Sequence, residues 1–497
     1  MGVAFSKTIF LMGLSGIDTV VEADVRRGMP SFKIVGLPTS AVEEARERVV
    51  SAIKNSGVEL GARKVVINLS PADVPKRGSH ADLPIAVSLL KAMNVLESLD
   101  NDVAILGELA LGGGVRATAS MFALISQAVS LGYRKFIIPI DSEKYVNAFS
   151  GITYKSISTL RDLLSGEDKW KTSSGYIAPE TTGKNLDFSD VRGQYMAKYA
   201  AMLAVAGMHN MVMIGSPGVG KTMIAERIPY IFPNLTQEEI IEITGIYSAT
   251  LGEDTLITQR PFRSPHSNIS SSAMFGGGRN INAGEVTLAH RGVLFVDEFP
   301  EFRRDVLEGL RTVVEKKKVT ISRADTKLVY PADFLLVMAS NPCPCGYLGH
   351  QTKQCRCSVS DIKRYQRKFS GPLMQRMDIQ MWMAPPDNTE PDELRTSYMK
   401  EKVLIAREMQ RKRYGEGIYN GTVDESIFRN RWKFTGDAES ALWEIKQMGK
   451  DSGRDLSKIA RVARTIADIE EREEVSDEDV WFALNFRKAM DVMVRFW

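Results

Sequence analysis

Apolar and polar residues follow two different periods in the first third of the chain. Short runs rich in apolar and β-branched residues are typical of strands, whereas apolar residues three and four positions apart indicate amphipathic helices. The strand-like runs are Val20–Val25, Phe32–Val35, Val65–Leu69 and Phe136–Pro139, and the helix-like stretches include Ala41–Asn55 and Leu83–Met93. Residues 1–165 are therefore predicted to form an α/β domain.

A polar segment separates this region from a second set of apolar runs. Residues 166–185 are rich in Gly, Ser, Thr and charged residues without periodicity, which predicts a linker. The next runs, Met211–Ile214, Val293–Val296 and Phe334–Met338, are continuously apolar, as strands covered on both faces of a parallel sheet must be. Helical patterns lie between them, so residues 186–385 are predicted to form a nucleotide-binding α/β core.

After Pro385 and Pro386 the pattern becomes helical. The helix-like stretches are Asp392–Arg413, Ala438–Gln447, Ser457–Glu471 and Asp477–Met493. Residues 386–497 are therefore predicted to form an all-α domain. The chain as a whole is predicted to belong to the α/β class, with a helical addition at its carboxyl end.

Length and composition fit this division and exclude several classes of protein. The chain has 497 residues, enough for about three domains. The 64 Lys and Arg nearly balance the 61 Asp and Glu, and the net charge of +3 provides no general attraction to nucleic acid. No apolar run reaches the roughly 18 residues that a membrane-spanning helix needs. We therefore expect a cytoplasmic protein that does not interact with a membrane.

A glycine-rich sequence follows the first strand of the predicted core. Its residues are Gly215, Ser216, Pro217, Gly218, Val219, Gly220, Lys221 and Thr222. Between a strand and a helix, such glycines let backbone N–H groups surround a phosphate, and the helix N-terminus adds partial positive charge. Lys221 is expected to contact the β- and γ-phosphates of ATP, and the Thr222 hydroxyl to bind Mg²⁺. A glycine-rich turn without a ligand is the alternative.

Polar residues also follow the other two core strands. Val293–Val296 leads directly into Asp297 and Glu298, and Phe334–Met338 is followed by Asn341. Taken alone, such residues usually mark a strand end or a turn. Beside a phosphate loop, Asp297 is predicted to bind Mg²⁺, Glu298 to activate a water molecule and Asn341 to orient that water. The set predicts ATP hydrolysis rather than phosphate transfer to another substrate.

The cysteines of the chain are confined to one short stretch. They are Cys343, Cys345, Cys355 and Cys357. Four thiolates can hold Zn²⁺ in a tetrahedral site, although the Cys-x-Cys spacing is tighter than that of the usual zinc motif. Free or redox-active thiols are the alternative, and the sequence leaves both interpretations open.

Five further stretches carry recognisable motifs. They are Gly193-Gln194, Arg260-Pro261-Phe262-Arg263-Ser264-Pro265-His266, Phe275-Gly276-Gly277-Gly278, the residues from Gly284 to Glu298, and Asn341-Pro342-Cys343-Pro344-Cys345-Gly346. Together with the phosphate loop, they resemble the ComM/YifB family, the magnesium-chelatase-like AAA+ ATPases of bacteria, along nearly the whole chain. The resemblance implies an amino-terminal domain of the Lon-protease/ChlI-like fold, an AAA+ core and a helical lid, assembled as a hexameric ring with ATP between subunits.

The same resemblance assigns roles to residues outside the core strands. Gly193 and Gln194 are expected to border the nucleotide. Arg376 is expected to be an arginine finger that completes the ATP site of the neighbouring subunit, and Arg454 a sensor in the lid. A guanidinium supplied by a neighbour stabilises transition-state charge and makes hydrolysis depend on the neighbour's position.

A Lon-like fold raises the question of whether the first domain cuts peptides. Ser79 lies where that fold would place a nucleophile, and His80 follows it. A serine needs a base, but the chain has no lysine between Lys91 and Lys135, the region where the fold would supply one. The first domain is therefore expected to be a non-proteolytic platform for assembly or for a protein partner.

A basic segment precedes the Asn341 strand. Its alternating pattern on both sides of Ala324-Asp325-Thr326 predicts a hairpin, which in ring ATPases of this kind projects into the central channel. Side chains that could follow a DNA backbone there are Lys316, Lys317, Lys318, Arg323 and Lys327, with Phe275 and Arg279 as a second candidate contact. The alternatives are a solvated charged face and packing of Phe275 in the core.

We therefore expect an ATP- and Mg²⁺-dependent homo-hexameric motor that acts on single-stranded or branched DNA. Such a helicase or translocase would promote branch migration during recombination or natural transformation. The alternative is a chelatase-like ATPase that remodels a protein partner bound to its amino-terminal domain. The basic hairpin favours DNA.

Overall fold

The computed structural model divides the chain into two compact units. It describes residues 2–96, 99–166, 169–175, 186–278, 281–323, 326–370, 373–385, 394–448, 453–487 and 489. Unit 1 takes its described residues from 2–175, 236–258 and 281–283, and unit 2 takes its own from 186–235, 259–278 and 284–489. Each unit is therefore built from segments that are not contiguous in sequence.

Strands and helices alternate along most of the chain. The strands are β1 (Val3–Met12), β2 (Ser15–Arg27), β3 (Ser31–Val35), β4 (Arg63–Ser70), β5 (Val103–Ile105), β6 (Glu108–Leu109), β7 (Val115–Arg116), β8 (Lys135–Pro139), β9 (Thr153–Ile157), β10 (Lys171–Thr172), β11 (Met211–Gly215), β12 (Phe262–Arg263), β13 (Gly276–Gly277), β14 (Asn282–Ala283), β15 (Val293–Val296), β16 (Lys318–Arg323), β17 (Thr326–Pro331), β18 (Leu335–Ser340), β19 (Ile379–Met383), β20 (Lys433–Phe434) and β21 (Glu474–Val475). The helices are α1 (Ser40–Glu43), α2 (Ala45–Asn55), α3 (Asp82–Ala92), α4 (Met121–Ser130), α5 (Glu143–Val146), α6 (Leu160–Ser165), α7 (Tyr195–Gly207), α8 (Lys221–Ile231), α9 (Gln237–Leu251), α10 (Ser271–Phe275), α11 (Glu285–Leu288), α12 (Arg304–Lys316), α13 (Val359–Gln366), α14 (Thr396–Tyr414), α15 (Glu425–Arg431), α16 (Gly436–Gln447), α17 (Gly453–Ile469) and α18 (Asp477–Asn485). Among the described residues, no helix is both long enough and apolar enough to cross a membrane.

Unit 1 is built on an eight-stranded mixed sheet. The strand order is β10-β9-β8-β5-β1-β2-β4-β3. The long strands β1 and β2 form an antiparallel hairpin, and β4 continues the sheet antiparallel to β2. On the other side, β5, β8 and β9 run parallel to one another. Parallel neighbours need crossover connections, and the helices α4 and α5 occupy them here.

Apolar side chains cover both faces of this sheet. In β8, Phe136 and Ile138 belong to one hydrophobic core and Ile137 to the other, because successive side chains of a strand point to opposite faces. The first of these cores also contains residues of α4, and the second contains residues of α2 and α3. The result is a three-layer α/β/α arrangement, which confirms the predicted α/β class for this region.

The predicted linker begins inside unit 1. Strand β10 lies within residues 166–185 and pairs antiparallel with β9 at the edge of the sheet. A polar sequence can form an edge strand because only one side of that strand must pair and little of it is buried. Residues 176–185 lie outside the described part of the chain.

Helix α9 belongs to unit 1 although it follows α8 of unit 2 in sequence. Ile240 and Ile241 on this helix pack against the core that contains α4. The Asp254 carboxylate accepts hydrogen bonds from the backbone N–H groups of Met121 and Phe122, both at 3.1 Å. These donors lie at the N-terminus of α4, where free N–H groups and the helix dipole favour a carboxylate. Residues 236–258, which the sequence assigns to the core 186–385, thus complete unit 1.

Unit 2 contains a five-stranded parallel sheet in the order β12-β15-β18-β11-β19. Strands β11, β15 and β18 are buried along their whole length, as their continuous apolar runs predict. Alternate side chains of these strands face two cores, one shared with α7, α8 and the carboxyl-terminal helices and the other with α12 and α13. This sheet therefore confirms the parallel α/β arrangement predicted for the core.

The carboxyl-terminal helices α14, α16, α17 and α18 fall where the sequence predicts helices. The region is not all-α as predicted, because β20 and β21 pair as parallel strands within it, and strands of two residues are too short to show an apolar pattern.

A buried polar network joins α17 to the sheet. His209, just before β11, contacts the carboxylate of Asp378 through Nδ1 at 3.1 Å and the hydroxyl of Thr465 through Nε2 at 2.8 Å. Deeper in the helices, the buried carboxylate of Asp468 accepts a hydrogen bond from Arg413 at 2.6 Å. Because unpaired buried polar groups are costly, this network fixes how α17 packs on the sheet.

Candidate nucleotide-binding site

The phosphate loop connects β11 to α8 at the carboxyl edge of the parallel sheet of unit 2. Gly218 and Gly220 have φ values of 84° and 99°, a region that residues with a side chain rarely adopt. Gly215 lies so close to β19 that a Cβ there would be 2.5 Å from the carbonyl oxygen of Met383. Helix α8 begins at Lys221, and its first N–H groups therefore face the loop. This geometry suits a bound phosphate.

Lys221 is buried, and its ammonium group is surrounded by oxygen atoms. Nζ donates to the carbonyl oxygens of Gly215 and Ser216 at 2.6 and 3.0 Å. It also donates at 3.2 Å to Oδ1 of Asn341, the residue that directly follows the neighbouring strand β18. The structure thus joins two residues that lie 120 positions apart in sequence.

Burial lowers the pKa of Lys221 to about 8, and the nearby carboxylates of Asp297 and Glu298 oppose this shift. The shift means that the site compensates only part of the cost of removing the ammonium from water. Phosphate oxygens would supply the missing negative charge. The site therefore has the electrostatics of an anion-binding pocket.

Thr222 and Asp297 contact each other beside Lys221. The Thr222 hydroxyl donates to Oδ2 of Asp297 at 3.2 Å, and the backbone N–H of Glu298 donates to Oδ1 of Asp297 at 2.9 Å. A hydroxyl and a carboxylate oxygen this close can share one Mg²⁺ ion, which prefers oxygen ligands. The residues present therefore fit a magnesium ion at the end of β15.

Glu298 adopts a left-handed backbone conformation, with φ 49° and ψ 42°. Such a conformation costs about 1–2 kcal/mol for a residue with a side chain, and it persists where the surrounding structure enforces it. It directs the chain sharply away from β15 and leaves the Glu298 side chain exposed. A carboxylate in this position is accessible to a water molecule.

The loop after β18 lies directly against the phosphate loop. Gly346 in this loop has a φ of 82°, and a Cβ there would be 2.7 Å from Cδ of Pro217 and 3.7 Å from Cγ of Asn341. Only glycine fits this close approach. Gly346 belongs to one of the motifs on which the family resemblance rests, but its close approach to Pro217 in the phosphate loop was not predicted.

Gly193 and Gln194 lie close to the same corner of the sheet. Nε2 of Gln194 donates to the carbonyl oxygen of Ala384, just beyond β19, at 2.7 Å. Val191 is 3.9 Å from the position of a Cβ on Gly220 in the phosphate loop. The structure thus brings this segment beside the phosphate loop, where the resemblance expects it to border the nucleotide.

Arg376 lies near the amino-terminal ends of the strands, whereas the phosphate loop lies at their carboxyl-terminal ends. Its carbonyl oxygen accepts a hydrogen bond from Nδ2 of Asn210, the residue before β11, at 3.4 Å, and its guanidinium forms an ion pair with Glu315. These residues line a cavity of about 970 Å³. Strand β11, five residues long, separates this end of the sheet from the phosphate loop, and its length is roughly 15 Å. Arg376 is therefore directed away from the nucleotide site of its own chain; Glu315, its partner, gave no signal in the sequence.

The basic hairpin forms as β16 and β17. Its side chains alternate: Val319, Leu328 and Tyr330 are buried, while Lys318 and Lys327 lie on the exposed face. The register pairs Lys327 with Ser322, which is exposed on the same face. Residues 324–325, at the predicted turn, lie outside the described part of the chain.

Two lysines predicted for the hairpin lie before it. Lys316 is the exposed last residue of α12, and Lys317 caps that helix with a φ of 53°. Nζ of Lys317 forms an ion pair with Asp333 at 3.1 Å. Lys317 is therefore held at the base of the hairpin, with part of its charge neutralised.

For three of the predicted site residues, the side chain lies outside the described part of the structure. Arg279 lies outside the described residues, and so do the side chains of Arg323 in β16 and Arg454 in the first turn of α17. Phe275 is partly buried, and its ring leaves no space for a Cβ on Gly309 of α12. This contact favours the packing interpretation of Phe275 over base stacking.

Ser79 of unit 1 contacts a carboxylate, and the expected lack of a Lon-type base stays a prediction. The Ser79 hydroxyl donates to the carboxylate of Glu108. His80 is buried, contacts the carbonyl oxygen of Ile9 through Nε2 at 2.9 Å, and has its pKa lowered to about 4 by burial. The buried Nζ of Lys76 has no hydrogen-bond partner among the described residues, so it is not bonded to Ser79.

The four cysteines lie together in unit 2. All four sulfur atoms are within 4.8 Å of one another, with Cys343 buried and the other three partly buried. Cys343 follows Asn341 by two residues, so the cluster lies next to the end of β18. The structure thus assembles the complete ligand set that the sequence suggests for zinc.

Comparison with known proteins gives matches along almost the whole sequence. The family model described as "Magnesium chelatase, subunit ChlI" matches residues 187–391. "Subunit ChlI of Mg-chelatase" matches residues 21–142, and "Magnesium chelatase, subunit ChlI C-terminal" matches residues 393–487. The three matches together include every element of the candidate nucleotide site.

Two curated relatives align with nearly the full chain. Protein YifB of Escherichia coli is 36% identical over 502 residues, which cover 98% of this chain and 97% of YifB. The competence protein ComM of Haemophilus influenzae is 35% identical over 494 residues, which cover 96% of each chain. The similarity therefore extends over both units and is not limited to the phosphate loop.

Proposed function

This chain belongs to the magnesium-chelatase-like ComM/YifB family of AAA+ ATPases, and from that premise we propose that it is a ring motor that moves DNA. As a member of this family it is an ATPase that uses ATP and Mg²⁺. The proposed activity is that of a hexameric helicase or translocase that promotes branch migration in recombination or natural transformation. The competence name of the Haemophilus relative supports this role.

The proposed hydrolytic site combines two hydrogen-bonded pairs, Lys221 with Asn341 and Thr222 with Asp297, with the adjacent Glu298. Lys221 and the N–H groups at the start of α8 would hold the phosphates, and Thr222 and Asp297 would hold Mg²⁺. Bound Mg²⁺ neutralises phosphate charge and orients the oxygens of the leaving group. Glu298 would accept a proton from the attacking water, which Asn341 orients.

The position of Arg376 supports a ring in which subunits share each site. Because Arg376 lies across the sheet from the phosphate loop, it can reach a nucleotide only if that nucleotide belongs to another subunit. Arg454, in the first turn of α17, is proposed as a sensor in the lid. Hydrolysis in such a ring depends on the neighbour, which couples ATP use to subunit movement.

The observation that carries the DNA proposal is the exposed basic face of the β16-β17 hairpin. Lys318 and Lys327 lie on that face, and Lys316 is exposed at its base. Six copies around a channel would form rings of ammonium groups that can follow a phosphate backbone without reading its sequence. Because the net charge is only +3, such binding depends on this local arrangement.

One observation favours the alternative of protein remodelling. Residues 236–258 leave unit 2 after α8, complete unit 1 through α9 and return to β12. The chain thus passes from the helix that follows the phosphate loop directly into unit 1, the unit proposed as the docking surface for a protein partner in this alternative.

The test compares DNA binding and ATPase stimulation of the wild type with those of a charge-reversed hairpin. Wild-type ATPase is measured without DNA and with single-stranded, duplex and branched DNA at one stated salt concentration. We expect stimulation, largest with branched DNA, and we expect Lys318→Glu combined with Lys327→Glu to abolish it. The variant should also bind DNA with a weaker salt dependence. The slope of the logarithm of the binding constant against the logarithm of the salt concentration should become shallower by about 0.7–0.9 for each phosphate group that the variant no longer neutralises.

The matched control moves the same charge change to another exposed part of unit 2. Lys412 on α14 and Lys433 in β20 are 70% and 65% exposed, so the double Glu variant carries an equal change in net charge. It should keep DNA stimulation. An ATPase that responds to no form of DNA would refute the motor proposal and favour protein remodelling.

A further inference from the structure

The cysteine cluster lies in a long segment without helix or strand. Residues 341–358 connect β18 to α13 and contain no regular element. Connections longer than about 12–15 residues are uncommon in compact domains unless something fixes their path. This one is fixed around its cysteines, since Cys343 is fully buried and its neighbours in the cluster are only partly exposed.

The distances between the sulfur atoms match a tetrahedral metal site. Sγ of Cys343 lies 3.5 Å from that of Cys345 and 3.7 Å from that of Cys355, and Cys345 and Cys355 are 3.5 Å apart. Four ligands at a Zn–S distance of about 2.3 Å from one ion would be about 3.8 Å apart. A disulfide bond requires about 2.05 Å. These three separations fit ligands of one ion better than an oxidised pair, and the sulfur of Cys357 lies within 4.8 Å of the other three.

Backbone N–H groups point at the same sulfur atoms. The amides of Tyr347 and Leu348 hydrogen-bond to the sulfurs of Cys345 and Cys343, respectively. The amide of Cys345 donates to Sγ of Cys357 at 3.4 Å. Such donors stabilise sulfur atoms that carry negative charge, as thiolate ligands do. They also orient the sulfurs toward a common centre.

We infer that Cys343, Cys345, Cys355 and Cys357 bind one Zn²⁺ ion in a closed, structural tetrathiolate site. With four protein ligands the ion has no open position for a substrate or water, so its role is to fix the loop. His350 is not needed as a ligand, because Nδ1 of its ring already accepts backbone N–H groups of Thr352 and Lys353 at 3.2 and 3.1 Å.

The zinc site would hold the β18 loop against the phosphate loop. Asn341, which contacts Lys221, lies two residues before the first cysteine, and Gly346, which contacts Pro217, lies one residue after the second. An ion that fixes Cys343 and Cys345 therefore fixes the segment between these two contacts. Asn341 and Gly346 act here as positioning residues for the phosphate loop, a consequence that rests on the proposed ATPase site.

The first experiment measures metal in the full-length protein purified under reducing conditions without added chelator. Elemental analysis should find about one zinc per chain, and a mercurial reagent that captures thiolates should release it. Replacing the ion with Co²⁺ should produce the visible absorption of tetrahedral cobalt thiolate. These measurements use the wild type, so they do not depend on whether a cysteine variant folds.

Variants then test the ligand set. Cys345→Ser combined with Cys357→Ser should reduce bound zinc to background, whereas His350→Ala in the same loop should retain it. Zinc loss in His350→Ala would overturn the four-cysteine assignment. So would wild-type protein that lacks zinc and takes up no added Zn²⁺, or that contains two disulfides in place of four free thiols.

The second experiment tests the link to the phosphate loop. Zinc-depleted protein should bind a fluorescent ATP analogue in the presence of Mg²⁺ at least about tenfold more weakly, and added Zn²⁺ should restore the affinity. Unchanged nucleotide affinity after complete zinc removal would overturn the positioning role. Zinc content itself is independent of ATP hydrolysis, so a failure of the metal site and a failure of the proposed ATPase give different results.

Discussion

The affinity for MgATP should fall as the pH rises through 8, because phosphate binding requires the charged form of Lys221. Burial lowers the pKa of Lys221 to about 8 from an ordinary value of 10.5. The residue is only 8% exposed, so solvent does little to screen this effect. Holding the ammonium among these protein groups thus costs about 3 kcal/mol relative to a lysine in water. Bound phosphate removes that cost and raises the pKa again.

The sign and size of the effect follow from this shift. About nine-tenths of Lys221 is protonated at pH 7 and about one-tenth at pH 9, so the apparent affinity should fall about tenfold over that interval, or about 1.4 kcal/mol. The protein should also take up about half a proton on binding at pH 8, where half of the lysine is neutral. An unshifted lysine would remain charged throughout and would give almost no change.

Isothermal titration calorimetry from pH 7 to 9.5 measures both quantities, because buffers of different ionisation enthalpy reveal the proton uptake. Lys221→Arg is the matched control, since a guanidinium stays charged over this range and should flatten the profile. A wild-type affinity that is constant between pH 7 and 9, with no proton uptake at pH 8, would refute the electrostatic reasoning.

Three further predictions concern the same site and its neighbour. Glu298→Gln should keep MgATP binding and reduce turnover by about 10²–10⁴-fold, measured by calorimetry and steady-state ATPase; full activity would remove Glu298 as the base. Arg376→Ala should also be inactive alone. In rings that mix Glu298→Gln and Arg376→Ala subunits in equal amounts, about a quarter of the sites should recover activity, because those sites have an intact Glu298 in one subunit and an intact Arg376 in its neighbour. Absence of recovery in verified mixed rings would contradict a shared site. Gly346→Ala should weaken MgATP binding, because its Cβ would lie 2.7 Å from Pro217 and its φ of 82° is costly for alanine; unchanged binding would show that the two loops are not coupled.

Prediction from sequence succeeded where the information is local. Strands β11 and β15 are continuous apolar runs, the pattern that strands buried on both faces of a parallel sheet require. The phosphate loop is also local, because its geometry depends on adjacent glycines such as Gly218 and Gly220. In contrast, helix α9 carries an ordinary helical pattern, and its sequence gives no sign that it packs in unit 1.

The sequence by itself thus determined the α/β class, the position of the glycine-rich loop and which residues are of a type that can bind a phosphate, a magnesium ion or a zinc ion, because residue type and near spacing fix these properties. Only the tertiary structure decided which of them meet. Strand order brings Asn341 to Lys221, and the path of the β18 loop brings Gly346 to Pro217. Arg376 and the phosphate loop lie at opposite ends of the strands of one sheet. Such contacts depend on the packing of the whole chain, which no short stretch of sequence records.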